Sequence, residues 1–434
     1  MLHQLVQQTF LKLGKEHVIS RRDLLRGISA AGLAAGTLSW QDRVAAGAAA
    51  LRAEGKACIL LWMQGGPSQF ETFDPKPGHA NGGETKAIST NVPGIQISEN
   101  LPQLAKVMKH LAVVRSMSSK EGSHPRATFL LHSGNLPNPS VQYPALGSLA
   151  AAEIGNKKCE LPAYVHIGGG RQVGSIGGGY LGREFDPFKQ PSADQLPANT
   201  SPTTSNTRYN RRLTLLEQLE TDYAAGAGGS EVVDHQKLYE TAARMIQSPR
   251  MTAFDLSQES DKMRDAYGRT SFGSGCLLAR RLLETGVTFV EVALDGWDTH
   301  FDNFAKHREL TGQVDGPAAQ LILDLQQRGM LDNTLVIWMG EFGRTPRINP
   351  RGGRDHFPKA FNLALAGAGI RGGQVIGSTD ASGSDVAERP VTVPDLFRTL
   401  STVLGIDPDR ERQTPGGRPV KNVDGGELVK ELLS

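Results

Sequence analysis

The chain has 434 residues, of which 38% are apolar, 21% charged and 6% aromatic, a composition that excludes collagen, coiled coils and wholesale disorder. Its 47 lysines and arginines nearly balance its 45 aspartates and glutamates, and the positive excess lies within residues 1–50. We therefore expect no nucleic-acid partner, because the rest of the chain carries no basic excess.

The amino-terminal segment, residues 1–50, has the three-part order of an export signal. Arg21 and Arg22 precede the uncharged stretch 27–39, which is too short for a membrane-spanning helix of about 20 residues. Small residues at 45–50 then offer cleavage sites. The segment resembles a twin-arginine signal, except that Leu24 stands where phenylalanine is common. We expect a periplasmic or extracellular protein with no stable membrane span after signal removal. The alternative is that this segment forms a surface amphipathic helix instead of a signal.

Buried strands are predicted wherever a continuous apolar run is bounded by turn residues. Five runs have this pattern: 57–63, 111–115, 163–167, 287–293 and 334–339. Helical patterns lie between and after them, at 101–110, 126–132, 145–154, 211–223, 277–285, 317–328 and 393–405. This alternation predicts an α/β fold with a mostly parallel central sheet and helices on both faces. We expect a single domain over 51–434, with a loop-rich insertion at about 168–206.

Polar side chains follow several of the predicted strands, and parallel strand ends meet at one edge of a sheet, where ligands bind. The candidate metal ligands there are Asp298, His300, Glu341, Asp355 and His356. Carboxylate and imidazole groups bind divalent ions such as zinc, manganese or calcium. We therefore expect a divalent metal ion, whose identity the residues leave open. In the alternative reading, Asp298 caps a helix and the two histidines lie on the surface.

The same loops carry further polar and basic side chains. Ser123 and His124 offer a hydroxyl and an imidazole just before a predicted helix, and His124 is also a candidate to complete the metal shell. Arg126 or Arg344 could bind an anionic oxygen through the planar guanidinium group. No Gly-x-Ser-x-Gly motif surrounds Ser123, so an α/β-hydrolase triad is not expected.

A glycine pair follows the first predicted strand. Gly65-Gly66-Pro67 lacks the spacing of a phosphate-binding loop. It predicts a tight turn at which the backbone approaches a ligand or a neighbouring segment.

Four segments carry a family resemblance together. They are Leu-Leu-Trp-Met-Gln-Gly-Gly-Pro-Ser-Gln-Phe-Glu-Thr-Phe-Asp-Pro-Lys at 60–76, Gly-Trp-Asp-Thr-His at 296–300, Gly-Glu-Phe-Gly-Arg-Thr-Pro at 340–346 and Gly-Arg-Asp-His-Phe-Pro at 353–358. With the tail 371–405, they resemble the bacterial family called domain of unknown function 1501, in order and over nearly all of the mature chain. That family is similar in turn to the alkaline phosphatase and sulfatase superfamily. The resemblance implies that fold and a metal centre for hydrolysing phosphate or sulfate esters.

The superfamily resemblance also implies roles for single residues. The implied ligand positions are Asp298, His300, Glu341 and His356. The implied nucleophile position falls on Ser123 or His124. One position departs from the pattern: Gln64 stands at the end of the first strand, where the superfamily has a metal-binding aspartate.

Two functions follow as hypotheses. The first is an exported, metal-dependent hydrolase that acts on phosphate or sulfate esters, with a small anionic ester or a sulfated or phosphorylated glycan as its substrate. The alternative is a catalytically degenerate member of the same fold that serves as a binding module for anionic glycans or a partner protein. Gln64 motivates the alternative. The oligomeric state stays open.

Overall fold

A computed structural model gives the fold and describes residues 55–169, 176–200, 204–226 and 230–434. Near the amino terminus it also describes a short antiparallel strand pair, Lys12–Leu13 with His17–Val18. The other residues of the predicted export signal, with Arg21 and Arg22, lie outside the described residues. The chain divides into two compact units, Met1–Leu51 and Arg52–Ser434. The sheet, the helices and the candidate site below all belong to the second unit.

Among the described residues, nine strands form the central sheet. In chain order they are β1 (Ala57–Met63), β2 (Leu111–Ser118), β3 (Tyr164–Gly168), β4 (Phe188–Gln190), β5 (Phe289–Leu294), β6 (Thr334–Met339), β7 (Phe361–Ala366), β8 (Gln374–Ile376) and β9 (Val391–Thr392). Across the sheet the order is β8-β2-β7-β6-β1-β5-β3-β4, and β9 also pairs with β2. Every pairing is parallel except those of β7 with β6 and β2. The mostly parallel α/β prediction is therefore confirmed.

Short strand pairs flank the sheet. They are Ala87–Ser89 with Gln96–Ser98, Gly343–Arg344 with His356–Phe357, Ser378–Thr379 with Val386–Glu388, and Glu411–Gln413 with Pro419–Lys421. The second pair matters for function, because it joins the loop after β6 to the segment that carries His356.

The register brings three strand ends to one edge of the sheet. Met63 of β1 pairs with Leu294 of β5, and Met339 of β6 pairs with Trp62 of β1. Nearly all of β1 and all of β6 are buried, as expected for parallel strands covered on both faces. The loops after β1, β5 and β6 therefore emerge side by side.

Helices cover both faces. They are α1 (Pro102–Lys106), α2 (His124–Ser133), α3 (Leu146–Ile154), α4 (Asn206–Gly226), α5 (Ser230–Gln247), α6 (Asp261–Ala266), α7 (Ser271–Glu284), α8 (Asn303–Gln327) and α9 (Val393–Leu404). Ile59 and Leu61 of β1 share a core cluster with α1, α7 and α8. Leu60 and Trp62 share the other with α2, α3 and α9. Alternate residues of a strand point to opposite faces, so the two clusters lie on opposite sides of the sheet.

Two helices show where local sequence signals predict a helix boundary correctly and where they do not. The last one, α9, begins with a capping box between Thr392 and Asp395 and ends at Gly405 in the left-handed conformation, as its proline start and glycine stop predict. The prediction that α8 starts at Pro317 is wrong, because α8 begins at Asn303 and continues through the proline. Buried side chains on both sides of Pro317 hold that helix together and offset the missing backbone hydrogen bond.

Some elements have no counterpart in the sequence prediction. Strand β7 and helix α5 are not predicted, and β4 lies inside the segment 168–206 that the sequence predicts to be rich in loops. Within the described part of the chain, the helices lack the combined length and apolar character that crossing a membrane requires.

Candidate metal centre

The glycine turn after β1 touches the loop after β5. Gly65 and Gly66 have positive φ angles of 119° and 75°. A Cβ atom on Gly65 would lie 2.5 Å from the backbone nitrogen of Asp298, so only glycine permits this approach. The turn therefore fixes where the loop that carries Asp298 begins.

Three imidazoles meet around one carboxylate oxygen. Asp298 Oδ1 lies 3.4 Å from Nε2 of His124 and 3.4 Å from Nε2 of His356. It lies 3.2 Å from Nε2 of His300, and that nitrogen is 3.0 Å from Nε2 of His356. The ligand atoms of His124, Asp298 and His356 all lie within 4.8 Å of one another. Four residues from three separate segments of the chain, His124, Asp298 with His300, and His356, are thus brought together.

Each histidine is oriented through its other ring nitrogen. Nδ1 of His124 lies 2.6 Å from Glu341 Oε1, Nδ1 of His300 lies 2.8 Å from Asp355 Oδ1, and Nδ1 of His356 lies 2.8 Å from the carbonyl oxygen of Gly122. Carboxylate and carbonyl oxygens accept hydrogen bonds, so each Nδ1 donates and each neutral ring keeps its lone pair on Nε2. Nitrogens facing one another in this way need a proton or a metal ion between them.

Two of the spacings, both from Asp298 Oδ1, match the separation of ligand atoms around a metal ion. A tetrahedral ion with bonds of about 2.0–2.1 Å separates its ligand atoms by about 3.3 Å. Asp298 Oδ1 lies 3.4 Å from both His124 Nε2 and His356 Nε2. In addition, His124 Nε2 is buried and makes no hydrogen bond within the described residues. Histidines whose second nitrogen is held by a carboxylate or a backbone carbonyl are the usual arrangement around a protein-bound metal.

The charges of the centre are strongly coupled. Burial lowers the pKa of His124, but its interactions with Asp298 and Glu341 outweigh burial and raise that pKa to about 9. Partial burial raises the pKa of Asp298, yet the nearby imidazoles of His124 and His356 and the guanidinium group of Arg344 hold it far below its usual range. A bound divalent ion would take the place of the proton on His124, because both depend on the same lone pair.

Glu341 is fully buried behind His124. Besides His124, its two oxygens accept hydrogen bonds from the backbone N–H groups of Gly65 and Gly66, at 3.0–3.2 Å, and from Nε2 of Gln64 at 3.3 Å. With these partners, Glu341 orients His124 and stays outside the three-residue group that shares a potential metal position. The sequence predicts it as a direct ligand.

Gln64 has a defined orientation. The indole Nε1 of Trp62 donates to Gln64 Oε1 at 2.8 Å, which leaves the amide nitrogen of Gln64 to donate to Glu341. Sequence reasoning marks Gln64 only as a departure from a pattern and does not predict the role of Trp62. The sequence feature that could have indicated these roles is the position of Trp62 and Gln64 at the end of β1, directly before the glycine turn.

Arg344 is fully buried, and its guanidinium group donates hydrogen bonds to neighbouring residues. Its Nε donates to the carbonyl oxygen of Gly66 at 2.8 Å, and its Nη2 donates to Asp298 Oδ1 at 2.7 Å and to the carbonyl oxygen of Gly65. Arg344 therefore holds the glycine turn and Asp298 in place, whereas the sequence offers either Arg344 or Arg126 as the group that binds an anionic oxygen.

The two other predicted catalytic groups lie at the start of α2. Ser123 is exposed, and its backbone N–H donates to Glu121. The side chain of Arg126 is 51% exposed, and its Nε donates to Glu121 Oε2 at 2.6 Å. His124 is thus the residue of this segment that joins the cluster around Asp298.

The family model described as "Protein of unknown function (DUF1501)" matches residues 55–433. The chain belongs to this family. The family prediction made from the strand-end motifs is thereby confirmed. No curated protein matches the chain.

Several solved structures are similar to this DUF1501 chain. The PsFucS1 sulfatase from Pseudoalteromonas sp. is 16% identical, with 84% of this chain and 72% of that chain covered and a TM-score of 0.39. The phosphonate monoester hydrolase of Agrobacterium radiobacter is 14% identical, with coverages of 87% and 77% and a TM-score of 0.36. The lipoteichoic acid synthase LtaP from Listeria monocytogenes is 10% identical, with coverages of 81% and 72% and a TM-score of 0.36.

The orientation of His124 in this DUF1501 protein can be tested at Glu341. Glu341→Gln keeps the size of the side chain but replaces one accepting oxygen with a donating amide, so His124 Nδ1 loses a reliable partner. We expect zinc affinity to fall by about 10–100-fold, measured by competition with a chromophoric chelator. Glu121→Gln, in the loop before α2, is the matched control and should leave zinc affinity unchanged. Equal affinities for both variants would contradict the role of Glu341.

Proposed function

We propose that this DUF1501 protein is a hydrolase of phosphate or sulfate esters that uses one divalent metal ion. The observation that carries the proposal is the convergence of His124, Asp298 and His356, whose ligand atoms all lie within 4.8 Å of one another. The reaction class comes from the resemblance of the strand-end motifs to the alkaline phosphatase and sulfatase superfamily. When bound, such an ion supplies Lewis-acid polarisation of the ester oxygen and lowers the pKa of a bound water.

Zinc is the ion that the donor set favours. Two of the three ligand atoms are imidazole nitrogens, which suit zinc, whereas calcium takes six to eight oxygen ligands. His124, Asp298 and His356 would hold the ion, and three protein ligands are the number found in catalytic zinc sites. Of the three ions that the sequence leaves open, we therefore propose zinc over manganese and calcium.

His300 acts as the proton acceptor in this proposal. Its Nδ1 is fixed by Asp355 at 2.8 Å, its Nε2 turns toward Asp298, and the side chain is 35% exposed. A histidine that a carboxylate orients, and that water can reach, is suited to accept a proton at Nε2. The sequence predicts His300 and Asp355 as metal ligands; here they form a general-base pair instead.

The start of α2 provides a place for the anionic part of the ester. This ten-residue helix begins at His124, and no side chain of the described residues caps it. The N–H groups and dipole at a helix start attract negative charge. Because His124 belongs to the proposed metal centre, an ester that reaches the centre meets this helix end, while buried Arg344 serves to hold Asp298 in place.

Turnover tests the proposed function. Zinc-loaded protein should hydrolyse 4-nitrophenyl phosphate or 4-nitrophenyl sulfate. His300→Ala should keep its zinc and lose at least about a hundredfold in kcat, because general-base catalysis contributes that much. The exposed residue His79 gives the control His79→Ala, which should leave both zinc content and kcat unchanged.

Two outcomes would contradict parts of this proposal. Loss of zinc in His300→Ala would make His300 a ligand and remove the general-base role. No turnover of either ester class by zinc-loaded wild type would contradict the hydrolase. Calorimetric binding of a sulfated glycan without product release would then identify the binding module that is the alternative.

Export through the twin-arginine route is a separate proposal that rests on the sequence of residues 1–50. We expect the double substitution Arg21→Lys with Arg22→Lys to retain the protein in the cytoplasm, because the paired arginines are the recognised feature of such signals. Cell fractionation followed by immunoblotting measures this, with Arg43→Lys as the control outside the pair. Unchanged appearance of the double variant outside the cytoplasm would contradict the proposal.

A further inference from the structure

A cleft lies at the amino ends of β3 and β4, whereas the metal centre lies at the carboxyl ends of β1, β5 and β6. It has a volume of about 1020 Å³ and is lined by Tyr164 and Phe188, the first residues of β3 and β4, and by parts of α3 and α5. Its volume is at the upper end of the range for small-molecule sites. None of the candidate metal ligands lines this cleft, because the metal centre lies beyond the carboxyl ends of β1, β5 and β6.

One part of the cleft is apolar. Leu161, Tyr164 and Met245 line it and are buried, and the partly exposed rings of Phe185 and Phe188 line it as well. Apolar and aromatic side chains of this kind supply most of the contact area in ligand sites. The cleft can therefore cover a ring system or a short alkyl chain.

The acidic groups of the cleft are already engaged. Four carboxylates line it, and each accepts a hydrogen bond: Glu153 from Arg410 and Arg412, Glu160 from Ser248, Glu184 from Lys237, and Asp186 from the backbone N–H of Gly178. The arginine and lysine partners offset the charges of Glu153 and Glu184, and the neutral donors occupy oxygens of Glu160 and Asp186.

The cleft also has basic side chains that are not paired with its carboxylates. Lys157, Arg183 and Arg244 also line it, and no carboxylate of the described residues forms an ion pair with them. Arg412 adds a buried donor, because its Nε has no hydrogen-bond acceptor in the described part of the chain. Buried donors normally have a partner, and unpaired guanidinium groups favour carboxylate, sulfonate or phosphate oxygens.

We propose that this cleft is a binding site for an amphipathic anion, with an apolar ring or chain and one acidic head group. The apolar body would lie against Leu161 and Met245, and the head group would meet Arg183 and Arg244. The site is separate from the metal centre, because none of the candidate metal ligands lines it. This inference does not depend on the proposed hydrolase activity.

Binding of 8-anilinonaphthalene-1-sulfonate tests the proposal, since this probe joins an aromatic body to a sulfonate. Full-length protein should bind it, as measured by fluorescence titration and calorimetry. The double substitution Arg183→Ala with Arg244→Ala should weaken binding by about tenfold or more, because each lost hydrogen bond to a charged group has a comparable effect. N-phenyl-1-naphthylamine, which lacks the sulfonate, should bind about tenfold more weakly for the same reason.

Controls separate this site from others. Lys86→Ala with Lys262→Ala removes the same charge from exposed positions outside the cleft and should leave binding unchanged. Asp298→Ala should also leave it unchanged. Equal binding by wild type and the double arginine variant, equal binding of the neutral probe, or loss of binding in Asp298→Ala would each overturn the proposal. Arg183 and Arg244 are exposed, so unchanged thermal unfolding of their variant shows that it is folded.

Discussion

Replacing Asp298 with alanine is expected to abolish zinc binding and to lower ester turnover by at least about a thousandfold, since several kcal/mol of transition-state stabilisation depend on the ion. Oδ1 of Asp298 is the atom around which His124, His300 and His356 gather, at 3.2–3.4 Å. Without it the histidines lose the negative charge that offsets a divalent cation. No other carboxylate belongs to the three-residue group found in the described part of the chain.

Elemental analysis and kinetics on the same samples measure this effect. Asp295→Ala is the matched control, because Asp295 is an exposed acidic residue of the same loop, and it should keep both zinc and activity. Asp298→Asn keeps the shape of the side chain and the hydrogen bond from Arg344, yet it should also lose zinc because it lacks the charge. Full zinc content in either Asp298 variant would contradict the assignment.

The largest expected effect on stability comes from a fully buried ion pair. Arg354 and Glu71 are both fully buried, and Nη2 of Arg354 lies 3.0 Å from Glu71 Oε1. The guanidinium group also donates to the carbonyl oxygens of Asn81 and Thr345 and lies 4.4 Å above the ring of Phe70. Arg354→Met should lower the free energy of unfolding by about 3–5 kcal/mol, because it leaves the Glu71 carboxylate buried without its cation.

Urea unfolding followed by circular dichroism measures this loss. Arg308→Met is the control: Arg308 pairs with Glu84, but both are more than half exposed, so the loss should stay below about 1 kcal/mol. The double variant Glu71→Leu with Arg354→Met should recover part of the stability, because the unpaired charge is gone. Equal losses for Arg354→Met and Arg308→Met would show that burial of the pair has no special effect.

The parts of the fold that sequence predicts are those fixed by local patterns. The continuous apolar runs at Ala57–Met63 and Thr334–Met339 form strands with those bounds, because a strand buried on both faces needs apolar side chains at every position. The run Phe361–Ala366 is a buried strand too, but it contains an asparagine and alanines, which have weak strand propensity. Its pairing partners, distant in sequence, decide its conformation.

The location of the candidate site follows from topology, whereas the role of each side chain does not. Parallel strands bring their loops to one edge, so the sequence identifies the loops that carry His124, Asp298 and His356. It does not distinguish those residues from Glu341, since all follow strands and all suit metals. The backbone N–H groups of Gly65 and Gly66 turn the Glu341 carboxylate toward His124 Nδ1, and that contact exists only once β1 and β6 are paired.

Zinc stoichiometry tests the central proposal most directly. Purified wild-type protein, dialysed to equilibrium against buffered zinc and then analysed for metal and protein, should contain one zinc ion per chain. The prediction rests on one group, His124, Asp298 and His356, within reach of a common ion in the described residues, and on Gln64 and the glycine turn occupying the oxygens of Glu341. A protein that takes up no zinc, or two ions per chain, would contradict it.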